Sequence, residues 1–343
     1  MRIIYDRVKD GVRILRCFSY DGQVEIPEKI CGYDVKELGP YVFSQKLRRV
    51  MPGEKFEAEL GWGEGESHLG VKAEEALLQA EALADGTPAL RGDRLRSISL
   101  PSCLQRIGAY AFYNCERLER LRFWGGLEDL GAGLFTGCAR IRYLEVILPP
   151  GGKSCLKEVL TELRQTLYVS CLDELGQIQA KLLFPEYYEE SVENTPARIL
   201  TQEMHGCGHR YRNAFSGTQF QYLTYDRLFP HIQVQEKSEL VAELVLGRLM
   251  YPVQLDPERK AVYEEYAASH GRELFLAAEA GRDRKALWFI SSAPWCTLEC
   301  LDEMLQEGQR RGEAQATGIL MDARRKRLEA GTSSGGKRRR FEL

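Results

Sequence analysis

No stretch of the 343-residue chain approaches the eighteen or so uncharged apolar residues that a membrane-spanning helix requires. Histidine is scarce, with five in all, and no Ser/His/Asp or Cys/His order marks a nucleophilic site, so few residues are placed to act as a general base. The ten cysteines are irregularly spaced and do not form a disulfide framework. A net charge of -3 excludes a general attraction to nucleic acid or to acidic membranes. The opening MRIIYDRVKD carries charges at residues 2, 6, 7, 9 and 10, which leave no uninterrupted apolar segment for export. These absences together lead us to expect a cytoplasmic protein with neither a membrane nor a nucleic-acid partner.

What the chain does have is a repeat. Over residues 95–146 the sequence matches itself at a step of 23: Leu95, Ile98 and Leu100 fall on Leu118, Leu121 and Phe123, while Ile107, Gly108, Phe112, Cys115 and Leu118 fall on Leu130, Gly131, Phe135, Cys138 and Ile141. Leu144 and Val146 continue the first series one unit later. Each unit is expected to be one short strand plus a return, which cannot bury its apolar face without a stacked neighbour. The strands would then lie parallel, about 4.8 Å apart. Gly108 and Gly131 mark a tight turn, where either a side chain would clash or φ is positive. Phe112 and Phe135, with Ala111 and Leu134, fill the middle of each coil. Cys115 and Cys138 occupy equivalent places on adjacent coils, as buried thiols or as a disulfide; burial is favoured, because free Cys is among the most buried side chains.

A variant copy precedes these units. VEIPEKICGYDVKELGPYVF has Ile26-Pro27 where the later unit has Leu100-Pro101, and Leu38-Gly39 with Phe43 where it has Ile107-Gly108 with Phe112. Ile26 to Gly39 spans 13 positions against 8 from Leu100 to Gly108, so five extra residues around CGYD form a hairpin or wide turn. An atypical terminal unit of this kind acts as a cap. Before it, RIIYDRVKDGVRILRCFSYDG reads as two strands joined at Asp10-Gly11. The pattern I-P-x-x-[I/V]…[I/L]-G-x-x-[A/V]-F-x-x-C-x-x-L resembles the BspA-type leucine-rich repeat, a bacterial family, over roughly residues 20–50 and 93–147. The chain departs from that pattern at Lys46, which stands in the cysteine position of the first copy, and at Gly125-Gly126. The resemblance implies a curved protein-binding module without catalytic residues, often found on secreted adhesins.

The organisation expected is a cap and first repeat over 1–52, a flexible insert over 53–92, repeats over 93–147, a helix and β-hairpin connector over 148–217, a helical-repeat domain over 218–327 and a disordered basic tail over 328–343. The insert is rich in Gly, Glu and Ala, and its KAEEALLQAEALA segment suits a short helix. Beyond the repeats, PPGGKSCLKEVLTELRQTL reads as a turn into a helix with Leu156, Val159, Leu160 and Leu163 on one face. TLYVSCL and QAKLLFPEYY read as two strands of a hairpin. From SELVAELVLGRLM to EAQATGILMDARRKRL the pattern is helical, and the echo of LAAEAGRDRKAL in MLQEGQRRGEAQAT suggests ankyrin-like helix pairs.

Four segments invite a chemical reading. PPGGKS before a helix is reminiscent of a phosphate-binding loop, but that motif needs a glycine at position 147, which is Ile147. MHGCGHRYRN sets His205, Cys207 and His209 at alternate positions, a spacing compatible with zinc if Cys171 or Cys300 supplied a fourth ligand. A Gly-rich turn with ordinary histidines is the plainer reading, and Cys296 with Cys300 reads as core. Tyr187, Tyr188, Tyr211 and Phe215 belong either to a contact surface or to internal packing. The closing GGKRRRFEL is basic, as expected of a solvated tail.

The fold class expected is therefore α+β, a short leucine-rich-repeat solenoid of parallel strands followed by a mainly α-helical, ankyrin-like array. The function expected is a non-catalytic protein–protein interaction module or scaffold that uses the repeat surface, with a protein partner and no cofactor or metal. Its structural core is Ile98, Leu100, Ile107, Gly108, Phe112, Cys115, Leu118, Leu121, Phe123, Leu130, Gly131, Phe135, Cys138, Ile141 and Leu144. The alternatives are a metal- or ligand-binding, enzyme-like C-terminal domain and a secreted cell-surface adhesin.

Overall fold

A strand with one buried face alternates apolar and polar residues, and Arg120-Leu121-Arg122-Phe123 and Tyr143-Leu144-Glu145-Val146 alternate exposed and buried in this way. The computed structural model describes residues 1–44, 57–62, 66–72, 86–149, 153–194, 199–281 and 284–335. The chain forms two compact units, Met1–Gln179 with Phe184–Gln221, and Ala180–Leu183 with Tyr222–Leu343.

The first unit opens with an antiparallel hairpin of β1 (Arg2–Val8) and β2 (Gly11–Phe18), turned at Asp10-Gly11. After β3 (Gln23–Glu25), the five extra residues of the first copy form the hairpin of β4 (Lys29–Ile30) and β5 (Tyr33–Leu38). Its turn residues Cys31 and Gly32 have φ of 50° and 82°. β6 (Glu57–Trp62) and β7 (Glu66–Lys72) pair with each other, and β6 pairs with β1. The expected insert thus carries two strands; its candidate helix, apart from Lys72, lies outside the described residues.

The repeat then alternates longer and two-residue strands: β8 (Ser97–Ser99), β9 (Arg106–Ile107), β10 (Arg120–Trp124), β11 (Asp129–Leu130) and β12 (Tyr143–Ile147). Helix α1 (Leu156–Glu162), β13 (Leu167–Leu172) and β14 (Ile178–Phe184) follow. Strands β3, β8, β10, β12 and β13 stack in that order as a parallel ladder of five turns, with Val24, Ile98, Leu121, Leu144 and Val169 in register. Strands β5, β9 and β11 form the parallel ladder on a second side, and β2 joins β5 in parallel. The boundary expected at 147 therefore moves, because β13 continues the ladder. The final coil takes 25 residues from Tyr143 to Tyr168 and returns through α1, whose Leu156, Val159 and Leu160 are buried.

Glycine at 108 and 131 answers to crowding between coils. A Cβ on Gly108 would run into the backbone of Gly39 and Pro40, and one on Gly131 into Gly108 and Ala109. The left-handed turn falls two residues later, at Tyr41, Tyr110 and Gly133, with φ of 59°, 57° and 62°. Inside the coil the rings of Phe43, Phe112 and Phe135 stack at centroid separations of 5.3 and 5.6 Å. Both ends of this stack are closed by side chains. Buried Arg16 donates from Nη1 to the carbonyls of Val42 at 2.8 Å and Ser44 at 3.0 Å. At the other end Glu162 accepts from the Phe135 N–H at 3.0 Å, and Gln165 donates to the carbonyls of Cys138 and Ile141 at 3.1 and 2.9 Å.

The unit is completed by the hairpin β15 (Tyr188–Asn194) and β16 (Ile199–His205), helix α2 (Gly208–Arg212), and the short pair β17 (Phe215–Ser216) and β18 (Gln219–Phe220). The second unit is helical: α3 (Tyr222–Arg227), α4 (Phe229–Gln235), α5 (Ser238–Met250), α6 (Pro257–Ala268), α7 (Gly271–Ala280), α8 (Arg284–Ser292), α9 (Leu298–Arg311) and α10 (Ala314–Gly335). Helix α7 packs against both α5 and α9, and α10 against α8 and α9. Asp256 caps α6 by accepting from the Glu258 N–H at 2.8 Å, Thr297 caps α9 through Cys300 at 3.1 Å, and Gly312 ends α9 at φ 73°. A fully buried ion pair joins Arg248 to Asp226 at 2.8 Å, and the Tyr263 hydroxyl donates to the same carboxylate at 2.9 Å. Helix α10 runs to Gly335, past residue 328 where a tail was expected; residues 336–343 lie outside the description.

Candidate interaction surface

Because the strands of the five-turn ladder are in register, the side chains that point away from the core fall into straight rows. One row is Gln23, Ser97, Arg120, Tyr143 and Tyr168, and the next is Glu25, Ser99, Arg122, Glu145 and Ser170. Between them lie the buried Ile98, Leu121 and Leu144, which fix the spacing of both rows. A shallow depression of about 330 Å³ runs along this face.

The rows carry distinct chemistry. The rings of Tyr143 and Tyr168 stack at 5.4 Å, and the Arg120 guanidinium sits 4.3 Å above the Tyr143 ring. This makes a continuous strip of one cation and two aromatic rings across three coils. In the second row Arg122 approaches Glu145 at 3.8 Å, with both side chains about half exposed. Such an exposed pair contributes less than about 1 kcal/mol, and its charges remain available to another molecule.

The expected core residues hold this surface from behind. Ile98, Leu100, Ile107, Phe112, Cys115, Leu118, Leu121, Phe123, Phe135, Cys138, Ile141 and Leu144 are buried, Leu130 is half-buried, and Gly108 and Gly131 pass between coils. Cys115 and Cys138 are thiols, not a disulfide. Their mutual contact and their burial raise the Cys115 pKa well above the ordinary thiol value. Arg120, Tyr143 and Tyr168 did not stand out in the sequence, because they occupy the variable positions between repeated apolar ones. The signal that finds them is the alternation itself, which places whatever lies beside Leu121 or Leu144 on the outer face.

The remaining candidates are scattered. His205 ends β16, stacks on Tyr188 at 4.6 Å and lies 3.2 Å from Glu190. Cys207 is buried at the start of α2, while His209 is in the first turn of that helix, with Asn213 one turn further on beside it. Cys171 is buried in β13 and Cys300 in α9 of the helical unit. Among the described residues no group of three or more His, Cys, Asp or Glu is arranged to hold a metal ion. Lys153 of the PPGGKS segment is exposed and its backbone bridges to Gln219. Tyr187 and Tyr211 are buried in the first unit, and Phe215 packs edge-on against Phe220 at 5.2 Å. No helix among the described residues is long and apolar enough to cross a membrane.

Residues 86–173 match, in six copies, the family described as BspA type leucine rich repeat region. That span covers the ladder from before β8 to the end of β13, including the final coil whose return is helical. No curated protein and no solved structure matches the chain.

Proposed function

We propose that this protein is a non-catalytic interaction module that docks a protein partner on the outer face of its parallel ladder. The observation that carries the reading is the strip formed by Arg120, Tyr143 and Tyr168, since Arg and Tyr are enriched where interfaces concentrate their binding energy. The face needs no bound group to act, and neither cofactor nor metal enters the proposal. Leucine-rich-repeat solenoids are generally protein-binding folds, and this one presents an open, shallow surface in place of an enclosed pocket.

The helical unit is read as a second, ankyrin-like array. The layer of α5, α7 and α9 backed by α8 and α10 supports helix pairs stacked in one direction. A cytoplasmic location is part of the same proposal, supported by ten thiols of which eight are buried. A photo-cross-linking residue placed at Tyr143 in living cells tests the docking face, with Val234 of α4 as the control position. The expected result is one protein trapped from Tyr143 and not from Val234. Equal trapping at both, or none at Tyr143, overturns it.

A further inference from the structure

We infer that a column of arginines at the entry to the ladder strands seats an acidic, helical segment of the docked partner. Arg94, Arg117 and Arg140 recur at the repeat step of 23, each one residue before a buried leucine or isoleucine, and all three are exposed. Arg96 and Arg142 lie two residues further on in their coils. The coils are held together there by hydrogen bonds from Glu119 N–H to the Arg96 carbonyl at 2.8 Å and from Arg142 N–H to the Glu119 carbonyl at 3.0 Å. Among the described residues none of these five guanidinium groups has a carboxylate partner. Elsewhere the chain pairs its arginines readily, as Arg310, Arg311 and Arg325 show. Unpaired like charges stacked coil over coil repel one another, and an incoming anion relieves that repulsion.

The column also connects to the docking strip, because Arg120, three residues after Arg117, is the cation above Tyr143. The inference therefore rests on the proposed docking face and extends it in one direction. Spacing selects the anion. Neighbouring coils are about 4.8 Å apart, and carboxylates on one face of a helix recur at about 5.4 Å per turn, so an acidic helix laid along the solenoid axis meets successive arginines. Guanidinium groups suit carboxylates through paired N–H donors. A phosphodiester chain fits less well, since a flexible single strand does not hold its phosphates at the helical spacing, while Glu116, Glu119 and Glu145 oppose either anion alike.

The test uses the full chain and fluorescence anisotropy with two labelled probes, an alanine-based helical peptide bearing glutamate at every third or fourth position and a thymidine oligonucleotide of equal charge. The peptide should bind more tightly than the oligonucleotide and release as salt rises. The combined Arg94→Ala, Arg117→Ala and Arg140→Ala variant should lose at least tenfold in peptide affinity, while Arg325→Ala on α10 should not change it. Far-ultraviolet circular dichroism of the triple variant should match that of the parent. Tighter binding of the oligonucleotide, or peptide affinity unaltered in the triple variant, overturns the inference. If that second result comes with a retained cross-link from Tyr143, the docking face survives and only the arginine assignment falls; if the cross-link is also missing, both fall.

Discussion

The thiol of Cys138 donates a hydrogen bond to the carbonyl of Phe112, one coil earlier, at 3.0 Å, and Cys115 points in the same way to Phe43 at 3.5 Å. The recurring cysteine is thus a small buried donor that ties each coil to the backbone of the one before. A larger side chain would overfill the coil, and alanine would lose the link.

Phe112 lies between Phe43 and Phe135, with a ring on each side. Phe112→Ala should cost about 3–5 kcal/mol in denaturant unfolding, and more than Phe135→Ala, whose ring ends the series. Cys138→Ala should cost about 1 kcal/mol, since the Phe112 carbonyl still accepts from the Cys115 N–H at 3.0 Å. Equal losses for the two phenylalanines would show that the stack does not act as a unit.

Arg212 is buried without a carboxylate among its hydrogen-bond partners. It donates to the carbonyls of Leu160, Leu163, Gln165, Pro185 and Gly208 and lies 5.0 Å from the Tyr187 ring. Burial lowers its pKa to about 10. Arg212→Met leaves these carbonyls short of a donor and should destabilise by about 3 kcal/mol or more. Arg212→Lys should not restore stability, because one ammonium lacks the planar fork that reaches all five. Full stability of the lysine variant in thermal unfolding would refute this account.

Glu307 in α9 is 4 % exposed and accepts from Arg310 at 2.8 Å and Arg311 at 2.6 Å. Those hydrogen bonds hold its pKa down to about 2, against an ordinary value of 4.5. A carboxylate lowered in this way stabilises the fold fully above about pH 4.5, and that contribution disappears as pH falls towards 2. The Glu307→Gln variant should be less stable than the parent at neutral pH and converge with it near pH 2. Parallel curves across that range would mean that the carboxylate charge is immaterial.

His205, Cys207 and His209 do not converge as a ligand group among the described residues, so a chelator should leave the unfolding curve of the purified protein unchanged. A structural zinc site contributes folding free energy directly. One zinc per chain, lost in His209→Ala, would return attention to a metal-binding function.

The coils are legible in the sequence because Phe112, Cys115 and Ile107 recur where geometry admits few substitutes. The last coil is harder to read, since α1 fills its return with Leu156, Val159 and Leu160 at helical spacing and removes the Gly, Phe and Cys positions. Strand β6 does alternate Ala58, Leu60 and Trp62 with Glu57, Glu59 and Gly61, but the signal is one short segment inside a Gly-, Glu- and Ala-rich stretch that breaks the repeat; it pairs with β1, and β7 pairs with it. The docking face is the least legible part. Ser97, Arg120 and Tyr143 share one register position yet share no chemistry, so repetition alone conceals them.

The plugs at the two ends of the phenylalanine stack have a further consequence. Arg16 hydrogen-bonds to the coil of Phe43, and Glu162 and Gln165 to the coil of Phe135. Length is therefore an independent variable: a tandem copy of residues 116–138 should slot in as one extra rung, leave both plugs seated and lengthen the outer rows by a single register step. Such a ruler would let the reach of the surface be set without redesigning its ends, and small-angle scattering of the lengthened chain, together with retained cooperative unfolding, would read it out.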